Sequence, residues 1–383
     1  MSRRALAVVG TAAGLGALAV GTLAVLGSVP ATSVGADRWS GWTGHVDASS
    51  VADRAAMTPD DAVAVSLLAR SAAAASAVAY SGRAVTWDPS GTTTTDLTHI
   101  PGRGTISVTV GAPAAQARLA PDGRSGSFAD DGRPLTLLRD NYRVLREADL
   151  DTTVAGRPAE AVVAVDASGV LDARYWLDTV TGLLLRKELL DAKGLVRSRT
   201  SFETFRLGVP TGTVVPTATP DPWTEALTGS ALATARARGC ACPDSLPGGL
   251  ELLDARRAPA GTVSTMPVVH QLFSDGVQTV SLFSIAGGLT SADGDGLAAR
   301  GFHREQLGDH VAWVRGGTSA EPTATVVWPC TGSVLTLVTD DAVDPLGTAA
   351  AVLAAYPPVP DPADMTLWAR IARGWHRITG GGP

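Results

Sequence analysis

The amino-acid sequence predicts an α+β protein built mainly from antiparallel sheets. Three Asp-to-Gly segments divide residues 158–207 into four stretches of similar length, and connections this short join antiparallel neighbours. A clear helix start precedes this region near residue 58. A segment rich in Pro and Thr follows it at residues 209–222 and has the composition of a semi-extended linker. The sequence therefore predicts two structural units on either side of that linker.

The composition of the 383-residue chain is that of a globular protein. Hydrophobic residues make up 45% and charged residues 18%, which excludes an intrinsically disordered chain. The net charge of −6 gives no electrostatic reason to expect nucleic acid as a partner. Of the 31 basic residues only Lys187 and Lys193 are lysines, a skew typical of GC-rich genomes, and we expect an actinobacterial source.

Residues 1–36 have the pattern of a targeting segment. Two arginines are followed by an uncharged, mostly apolar run at residues 5–26, and residues 34–36 offer a small-x-small cleavage site. A cleaved secretory signal peptide fits this pattern. An uncleaved membrane anchor fits it too, because about 20 apolar residues span a bilayer. Both alternatives place residues 37–383 outside the cytoplasm.

The first unit, residues 58–208, is predicted to be a curved sheet wrapped around one helix, an open antiparallel barrel. Thr58 is a favourable N-cap and Pro59 suits the first helical position, so we expect a helix that runs to about residue 78. Strands are expected at residues 80–87 and 106–110 and in the four stretches of 158–207. Shorter strands are expected around Leu119, Phe128 and Leu137, and a helical turn at residues 142–150.

Alternating side chains predict an apolar wall in the four-stranded region. Every second residue from Leu171 to Leu177 is apolar, and the preceding strand shows the same alternation from Ala159 to Val165. Two interpretations remain open: either the helix fills this wall, or the wall lines a groove for an acyl chain. The candidate lipid-facing residues are Ala161, Val163, Val165, Leu171, Tyr175 and Leu177.

The second unit is predicted at residues 240–356 as a smaller α+β domain with a mostly antiparallel sheet. Asp344-Pro345 opens a predicted helix that ends near Ala355. An amphipathic helix is expected at residues 361–378, either docked on the second unit or bound to a membrane surface or a partner. Strand candidates are residues 250–253, 268–273, 279–285, 310–315, 323–328 and 334–338, with a tight turn at 274–276.

The three cysteines predict a disulfide rather than a metal site. Cys240 and Cys242 are separated by one residue, and a loop this short rarely bridges itself. We therefore expect Cys330 to pair with Cys242, with Cys240 as the alternative partner. No histidine has finger-like spacing to these thiols, so no metal is expected.

No catalytic motif is recognisable in the sequence. It lacks a nucleophile elbow, a zinc-protease motif, a phosphate-binding loop and a dinucleotide fingerprint. The acidic pairs at 130–131 and 340–341 lack the alternating oxygen pattern of a calcium loop, so we interpret them as turn residues. The sequence favours a binding protein without a cofactor over an enzyme of unrecognised class.

Two segments resemble the RseB/MucB family. The first is residues 174–186, R-Y-W-L-D-T-V-T-G-L-L-L-R, and the second is residues 270–284, H-Q-L-F-S-D-G-V-Q-T-V-S-L-F-S, followed by a matching strand at 308–314. Proteins of this family are extracytoplasmic regulators of sigma-E-type factors. Their N-terminal domain is similar to the lipoprotein-carrier (LolA-like) fold.

The resemblance implies a sensor and binding protein of the cell envelope. Its first domain is expected to hold an acyl chain or a lipidated ligand. Its second domain is expected to contact the extracytoplasmic part of a membrane anti-sigma factor and to shield that partner from proteolysis. The alternative is an envelope lipid or lipoprotein carrier that uses the same fold and has no role in sigma-factor regulation.

Overall fold

The computed structural model arranges the chain between residues 62 and 357 around two antiparallel sheets. It describes residues 62–111, 118–120, 133–147, 150, 152–215, 223, 225–237, 240–261, 264, 266–318, 323–330, 332–339 and 343–357. The predictions for the targeting segment, the C-terminal helix, the strand around Phe128 and the two acidic pairs lie outside these residues, as does most of the predicted linker. Within the described ranges, no helix is both long and apolar enough to cross a membrane.

The first sheet contains ten strands and is accompanied by two helices, which we call together the first domain. The helices are α1 (Ala62–Ala77) and α2 (Arg133–Asn141). The strands are β1 (Tyr80–Asp88), β2 (Gly91–Ile100), β3 (Gly104–Thr109), β4 (Arg118–Ala120), β5 (Arg143–Glu147), β6 (Thr153–Val154), β7 (Arg157–Val165), β8 (Leu171–Asp178), β9 (Leu184–Leu190) and β10 (Val196–Leu207). They follow the order β4-β3-β2-β1-β10-β9-β8-β7-β5, with β6 paired to β7. The described strands therefore form an open sheet with β4 and β5 at its ends.

The second sheet contains nine strands and is accompanied by three helices, which we call the second domain. The helices are α3 (Gly229–Ala237), α4 (Ser291–Ala298) and α5 (Pro345–Ala355). The strands are β11 (Glu225–Ala226), β12 (Ser245–Leu246), β13 (Leu250–Ala258), β14 (Val268–Ser274), β15 (Thr279–Ala286), β16 (His303–Leu307), β17 (His310–Arg315), β18 (Ala324–Cys330) and β19 (Ser333–Thr339). Their order is β11-β13-β14-β15-β19-β18-β17-β16, with β12 paired to β13. Because β11 pairs with β13, this sheet begins before residue 240, the start that the sequence predicts.

The predicted α+β class with antiparallel sheets is confirmed.

Helix α1 packs its small apolar face on the first sheet. Leu67 and Leu68 lie in one buried cluster with Val162 of β7 and with Tyr175 and Leu177 of β8. Burying one such side chain contributes about 1.5–3 kcal/mol to stability. The helix therefore fills this part of the sheet, which is the first of the two interpretations that the sequence leaves open.

The predicted Asp-to-Gly turns form by a shared local mechanism. In the turn after β8, Oδ1 of Asp178 accepts the backbone amides of Val180 (3.1 Å) and Thr181 (2.7 Å), and Gly182 takes a positive φ of 83°. Asp166 and its equivalent in the turn after β9 accept backbone amides in the same way. This local chemistry is why the four-stranded meander could be predicted from its turn residues.

Several local predictions are wrong. Leu137 lies in helix α2 rather than in a strand, because Pro134 starts a helix and Leu137 and Leu138 form its buried face. Residues 143–147 form strand β5 instead of a helical turn. Strand β2 was not expected, because its run of four threonines gives no apolar alternation.

The six candidate lipid-facing residues do not share one face of the sheet. At the turn, Val165 opposes Leu171, but a β-bulge after Ala164 shifts the register so that Val162 opposes Tyr175. Ala161, Val163, Val165 and Leu171 therefore lie on one face, and Tyr175 and Leu177 lie on the other, against α1. The prediction of a single wall is wrong because one extra residue in a strand moves the following side chains to the opposite face.

The cysteine pairing also differs from the expected one. Cys240 is bonded to Cys242, since the irregular backbone brings their Cα atoms to 5.3 Å, within the range of roughly 4.4–6.8 Å that disulfides require. Cys330 is a buried thiol at the end of β18, and its Sγ donates to the carbonyl of Tyr356 at 2.6 Å. The expected bond between Cys242 and Cys330 is therefore not the one in the structure.

Candidate functional site at the domain junction

The two segments that carry the family resemblance meet where the two domains touch. Residues 274–278, which we call the junction turn, connect β14 to β15 and lie against α2 and strands β8 and β9 of the first domain. Val277 is 4% exposed and joins the cluster that contains Leu68 and Tyr175. Lys187 Nζ of β9 donates to the Val277 carbonyl at 3.3 Å. The junction turn thus completes the apolar core of the first domain.

Asp275 shapes the junction turn and ties it to the first domain with one carboxylate. Its Oδ1 accepts the amides of Val277 (2.8 Å) and Gln278 (2.7 Å), while its Oδ2 accepts the hydroxyl of Tyr142 (2.8 Å). Its backbone carbonyl accepts Nδ2 of Asn141 at 3.0 Å. Burial and the nearby Asp275 carboxylate raise the pKa of Tyr142 far above its ordinary value, so this hydroxyl remains a donor. A hydrogen bond to a charged group contributes about 1.5–3 kcal/mol.

Gly276 allows the two domains to approach closely. Its φ is +103°, a conformation that other L-residues rarely adopt. A Cβ at this position would overlap the backbone of Leu138 in α2 and would lie 2.8 Å from the Cβ of Leu138. The junction therefore requires glycine for both its backbone conformation and its lack of a side chain.

A second contact joins the start of α2 to strand β13. Arg133 Nη2 donates to the carbonyl of Leu252 at 2.8 Å, and its Nη1 donates to the carbonyl of Leu253 at 3.4 Å. A β-bulge in β13 makes Leu253 an extra residue relative to β14. Helix α2 is therefore held to the second domain at both of its ends.

Two β-bulges in the first domain contain residues of opposite charge. Asp172 is the extra residue of β8 opposite β7, and Arg197 is the extra residue of β10 opposite β9. Burial raises the pKa of Asp172 to about 6, and the charge of Arg197 opposes this rise. Bulges commonly re-aim a side chain in this way.

The charged residues of the first motif form a buried ion cluster behind this junction. Glu188 is fully buried and accepts hydrogen bonds from Arg174 (3.5 Å), Arg186 (3.0 Å) and Arg199 (2.7 Å). The guanidinium of Arg186 also lies over the ring of Trp176, 4.3 Å from its centroid. Arg174 and Arg186, which begin and end the motif, thus have a structural role in holding β8, β9 and β10 in register.

Asp178, the acidic residue of the same motif, is also structural. Arg157 Nε and Nη2 donate to its two carboxylate oxygens at 2.5 and 3.1 Å. Burial alone would raise the pKa of Asp178, but the hydrogen bonds from Arg157 and Thr181 outweigh it and hold the pKa below its ordinary value. Asp178 therefore stays ionised and fixes the turn, as the sequence predicts.

Two of the histidines that the structure describes show a packing role and a surface position. The ring of His270 stacks on Phe283 with centroids 4.5 Å apart, its Nε2 lies 3.1 Å from Ser281 Oγ, and burial lowers its pKa to about 4. His303 is exposed beside Glu305. In the part of the chain that the structure describes, no group of three or more His, Cys, Asp or Glu residues is arranged to hold a metal ion.

All six candidate lipid-facing residues are buried against protein atoms, with exposed fractions of 3% or less. The structure also contains a groove of about 270 Å³ on strands β1, β2 and β10, but polar and charged residues form most of it. Its lining includes Ser81, Arg83, Asp96, Thr98, Thr204 and Arg206. These charged and hydroxyl-bearing side chains are poorly suited to an acyl chain.

Sequence reasoning did not identify the residues of α2 that form the junction. Arg133, Asn141 and Tyr142 contact residues between 119 and 134 positions away in the chain. Their immediate neighbours in sequence contain no motif, so no local pattern could have identified them. The junction turn itself carried the only available signal, the Ser-Asp-Gly run at residues 274–276.

Comparison with known proteins gives likenesses at the level of solved structures. No protein-family model matches the sequence, and no curated protein matches it either. A crystal structure of MucB is 21% identical, with a TM-score of 0.48, and the match covers 78% of this chain and 99% of MucB. A complex of Pseudomonas aeruginosa MucA and MucB is also 21% identical, with a TM-score of 0.47 and coverage of 76% and 97%. A putative outer membrane lipoprotein-sorting protein domain from Vibrio parahaemolyticus is 12% identical, with a TM-score of 0.18 and coverage of 44% and 95%.

The resemblance expected from the two motifs is thus found again as a similarity to solved MucB structures. At this identity and TM-score, the function of the chain has to be argued from its own residues.

Proposed function

We propose that this protein is an extracytoplasmic regulatory protein that binds the extracytoplasmic part of a membrane anti-sigma factor and slows its proteolysis. The main support is the pair of motifs at residues 174–186 and 270–284, which resemble the RseB/MucB family and occur in the family's order. In the structure the two motifs meet at the junction, through Val277, Tyr175 and Lys187.

A binding role agrees with the chemistry of the junction. Its polar groups are occupied by contacts between the domains: the Tyr142 hydroxyl by Asp275, the Asn141 amide by a carbonyl, and the Arg133 guanidinium by two carbonyls. Such contacts fix the relative position of two domains. They would let a change in one domain alter what the other domain binds, which is the form that regulation takes in a two-state protein.

Sensing of an acyl chain or a lipidated ligand is the finer part of this proposal. The apolar interior of the first domain has chemistry that suits an acyl chain. Tyr175, Leu177 and Val277 are packed there against α1, so a ligand would have to displace either the helix or the junction turn. Binding of a ligand in this interior would then open the junction by linkage.

The partner is tested with the full chain as bait. The extracytoplasmic segment of each membrane anti-sigma factor of the source organism is presented separately, and binding and the rate of proteolytic cleavage are measured. We expect one segment to bind and to be cleaved more slowly in the complex. Photo-crosslinking then locates the contact, which we expect within residues 225–357. If none of the segments binds, the regulatory proposal is wrong.

The ligand is tested separately. The chain is purified from its native host, analysed by native mass spectrometry, and extracted for lipids. A bound acyl-chain species that is lost from a junction variant would support ligand sensing. A lipid-bound protein that binds none of the anti-sigma segments would instead favour an envelope lipid or lipoprotein carrier. Protein that carries no lipid and takes up none from vesicles would contradict both lipid functions.

A further inference from the structure

The disulfide between Cys240 and Cys242 closes a very small loop. Only Ala241 lies between the two cysteines. In the chain-entropy description, a disulfide stabilises a protein more when it closes a longer loop. This bond therefore restricts the unfolded chain less than most disulfides do, and its contribution to the stability of the fold is expected to be small.

Other interactions hold the backbone around the disulfide in place. Arg236 Nε donates to the carbonyl of Cys242 at 2.7 Å, and Gln271 Nε2 donates to the carbonyl of Pro243 at 2.9 Å. Residues 245 and 246 then form β12, which pairs with β13 of the second sheet. These interactions do not depend on the bond between the two sulfur atoms, so we expect the segment to keep its place when that bond is reduced.

The two cysteines differ in their surroundings. Cys240 is half-buried and packs against the edge of an apolar cluster, whereas Cys242 is 0% exposed and belongs to that cluster. The other buried members of the cluster are Leu227, Leu232, Ala235, Ala255 and Val269. A thiol in solution can therefore reach the disulfide at Cys240 but not at Cys242.

We propose that Cys240 and Cys242 form a redox-active disulfide, which exchanges with a dithiol reductant outside the protein. A thiolate of the reductant attacks the sulfur of Cys240, the bond between the two cysteines breaks, and the sulfur of Cys242 leaves with the electron pair and takes up a proton. The second thiolate of the reductant then attacks the reductant's own sulfur in the mixed disulfide and releases Cys240, which is protonated in turn. The dithiol thus supplies two electrons and two protons and becomes a disulfide itself.

The reduced state suits the same surroundings. A free cysteine behaves as a small hydrophobic side chain, so a Cys242 thiol fits the apolar cluster that holds it. Apolar surroundings also favour the neutral thiol over the thiolate, which keeps the reduced pair from closing again at once. Cys330 takes no part in the exchange, because it is buried on β18 and its Sγ donates to the carbonyl of Tyr356.

This activity goes beyond the proposed function, because it requires a reductant and no anti-sigma factor. To test it, the full chain is equilibrated in buffers of reduced and oxidised glutathione, free thiols are alkylated, and residues 240–242 are followed by mass spectrometry. We expect the bond to be reduced at glutathione ratios that leave structural disulfides oxidised, and to form again when the ratio is reversed. Reduction is expected to lower the midpoint of thermal unfolding by no more than about 8 °C, since the loop is so short.

Cys330→Ser is the matched control and is expected to titrate like the natural protein. Two variants test where the attack occurs. Cys242→Ser leaves the half-buried Cys240, which is expected to form a mixed disulfide with glutathione, whereas Cys240→Ser leaves the buried Cys242, which is expected to remain a thiol. Mixed disulfides at both positions would overturn the attack at Cys240.

The natural protein decides the proposal even if a variant does not fold. A bond that is reduced only after the chain has unfolded is a structural disulfide, and this result would refute redox activity. A chain that unfolds as soon as the bond is reduced would refute it as well, because the bond would then be needed for the fold.

Discussion

Replacing Gly276 by alanine tests whether the junction turn has to lie as close to α2 as the structure places it. The substitution adds a single methyl group. Because φ is +103°, the backbone is strained by any side chain, and the new Cβ would overlap the backbone of Leu138. A helix backbone held at both ends by Arg133 and Asn141 cannot move aside easily, so we expect the turn to withdraw from the first domain.

The cost can be estimated from what the withdrawal breaks. Backbone strain at a positive φ costs about 1–2 kcal/mol for a residue with a side chain. Loss of the hydrogen bond between Tyr142 and Asp275 costs about 1.5–3 kcal/mol, and exposure of Val277 costs a similar amount. Relaxation recovers part of this sum, so we expect the junction to weaken by at least about 3 kcal/mol, or roughly 100-fold in its closing equilibrium.

Hydrogen exchange of the Val277 and Gln278 amides is the direct assay, since both donate to Asp275 only while the turn keeps its shape. Gly308→Ala is the matched control: its φ is +60°, and a Cβ there would meet nothing within 4 Å. The control is expected to lose about 1–2 kcal/mol of local stability from the conformation alone. Equal losses at the two positions would show that close packing against Leu138 contributes nothing, and unchanged exchange in Gly276→Ala would refute the junction itself.

Three further results are expected. Tyr142→Phe keeps the packing of the ring but removes the bond to Asp275, so junction protection should fall by about 1.5–3 kcal/mol, and an unaltered exchange rate would argue against that bond. Glu188→Gln leaves the buried guanidinium of Arg174 and the partly buried ones of Arg186 and Arg199 without their anion, and it should destabilise the first domain by about 3–5 kcal/mol in urea denaturation. Asp96→Asn removes the anion of an exposed ion pair with Arg83 and should cost no more than about 1 kcal/mol. A similar loss of stability in Glu188→Gln and in Asp96→Asn would contradict the role of burial. Peptide mapping without reduction should find a disulfide within residues 240–242 and a Cys330 thiol that alkylates only after unfolding, whereas a peptide that links Cys330 to Cys242 would overturn the pairing.

The parts of the fold that depend on neighbouring residues could be predicted from the sequence. The carboxylate of Asp178 accepts amides only two and three residues away, and Gly182 supplies the positive φ that closes the turn. Asp344 caps helix α5 by accepting the amides of residues 346 and 347, again within one turn. Such interactions are complete within a short segment, so the residue types alone are enough to indicate them.

The residues that form the domain contact are far apart in the chain, and no pattern in the sequence links them. Tyr142 and Asp275 are 133 positions apart, and each has a second role that explains its presence locally: Tyr142 ends a helix and Asp275 shapes a turn. Only the packing of the two sheets reveals that these roles coincide.

The error in the predicted apolar wall has one physical origin, the β-bulge at Asp172. Without the bulge at Asp172, Val165 opposite Leu171 would imply Ala161 opposite Tyr175, which is the single wall that alternation predicts. The bulge places Asp172 outside the pairing and turns Tyr175 toward α1. Asp172 therefore separates the two halves of the predicted wall.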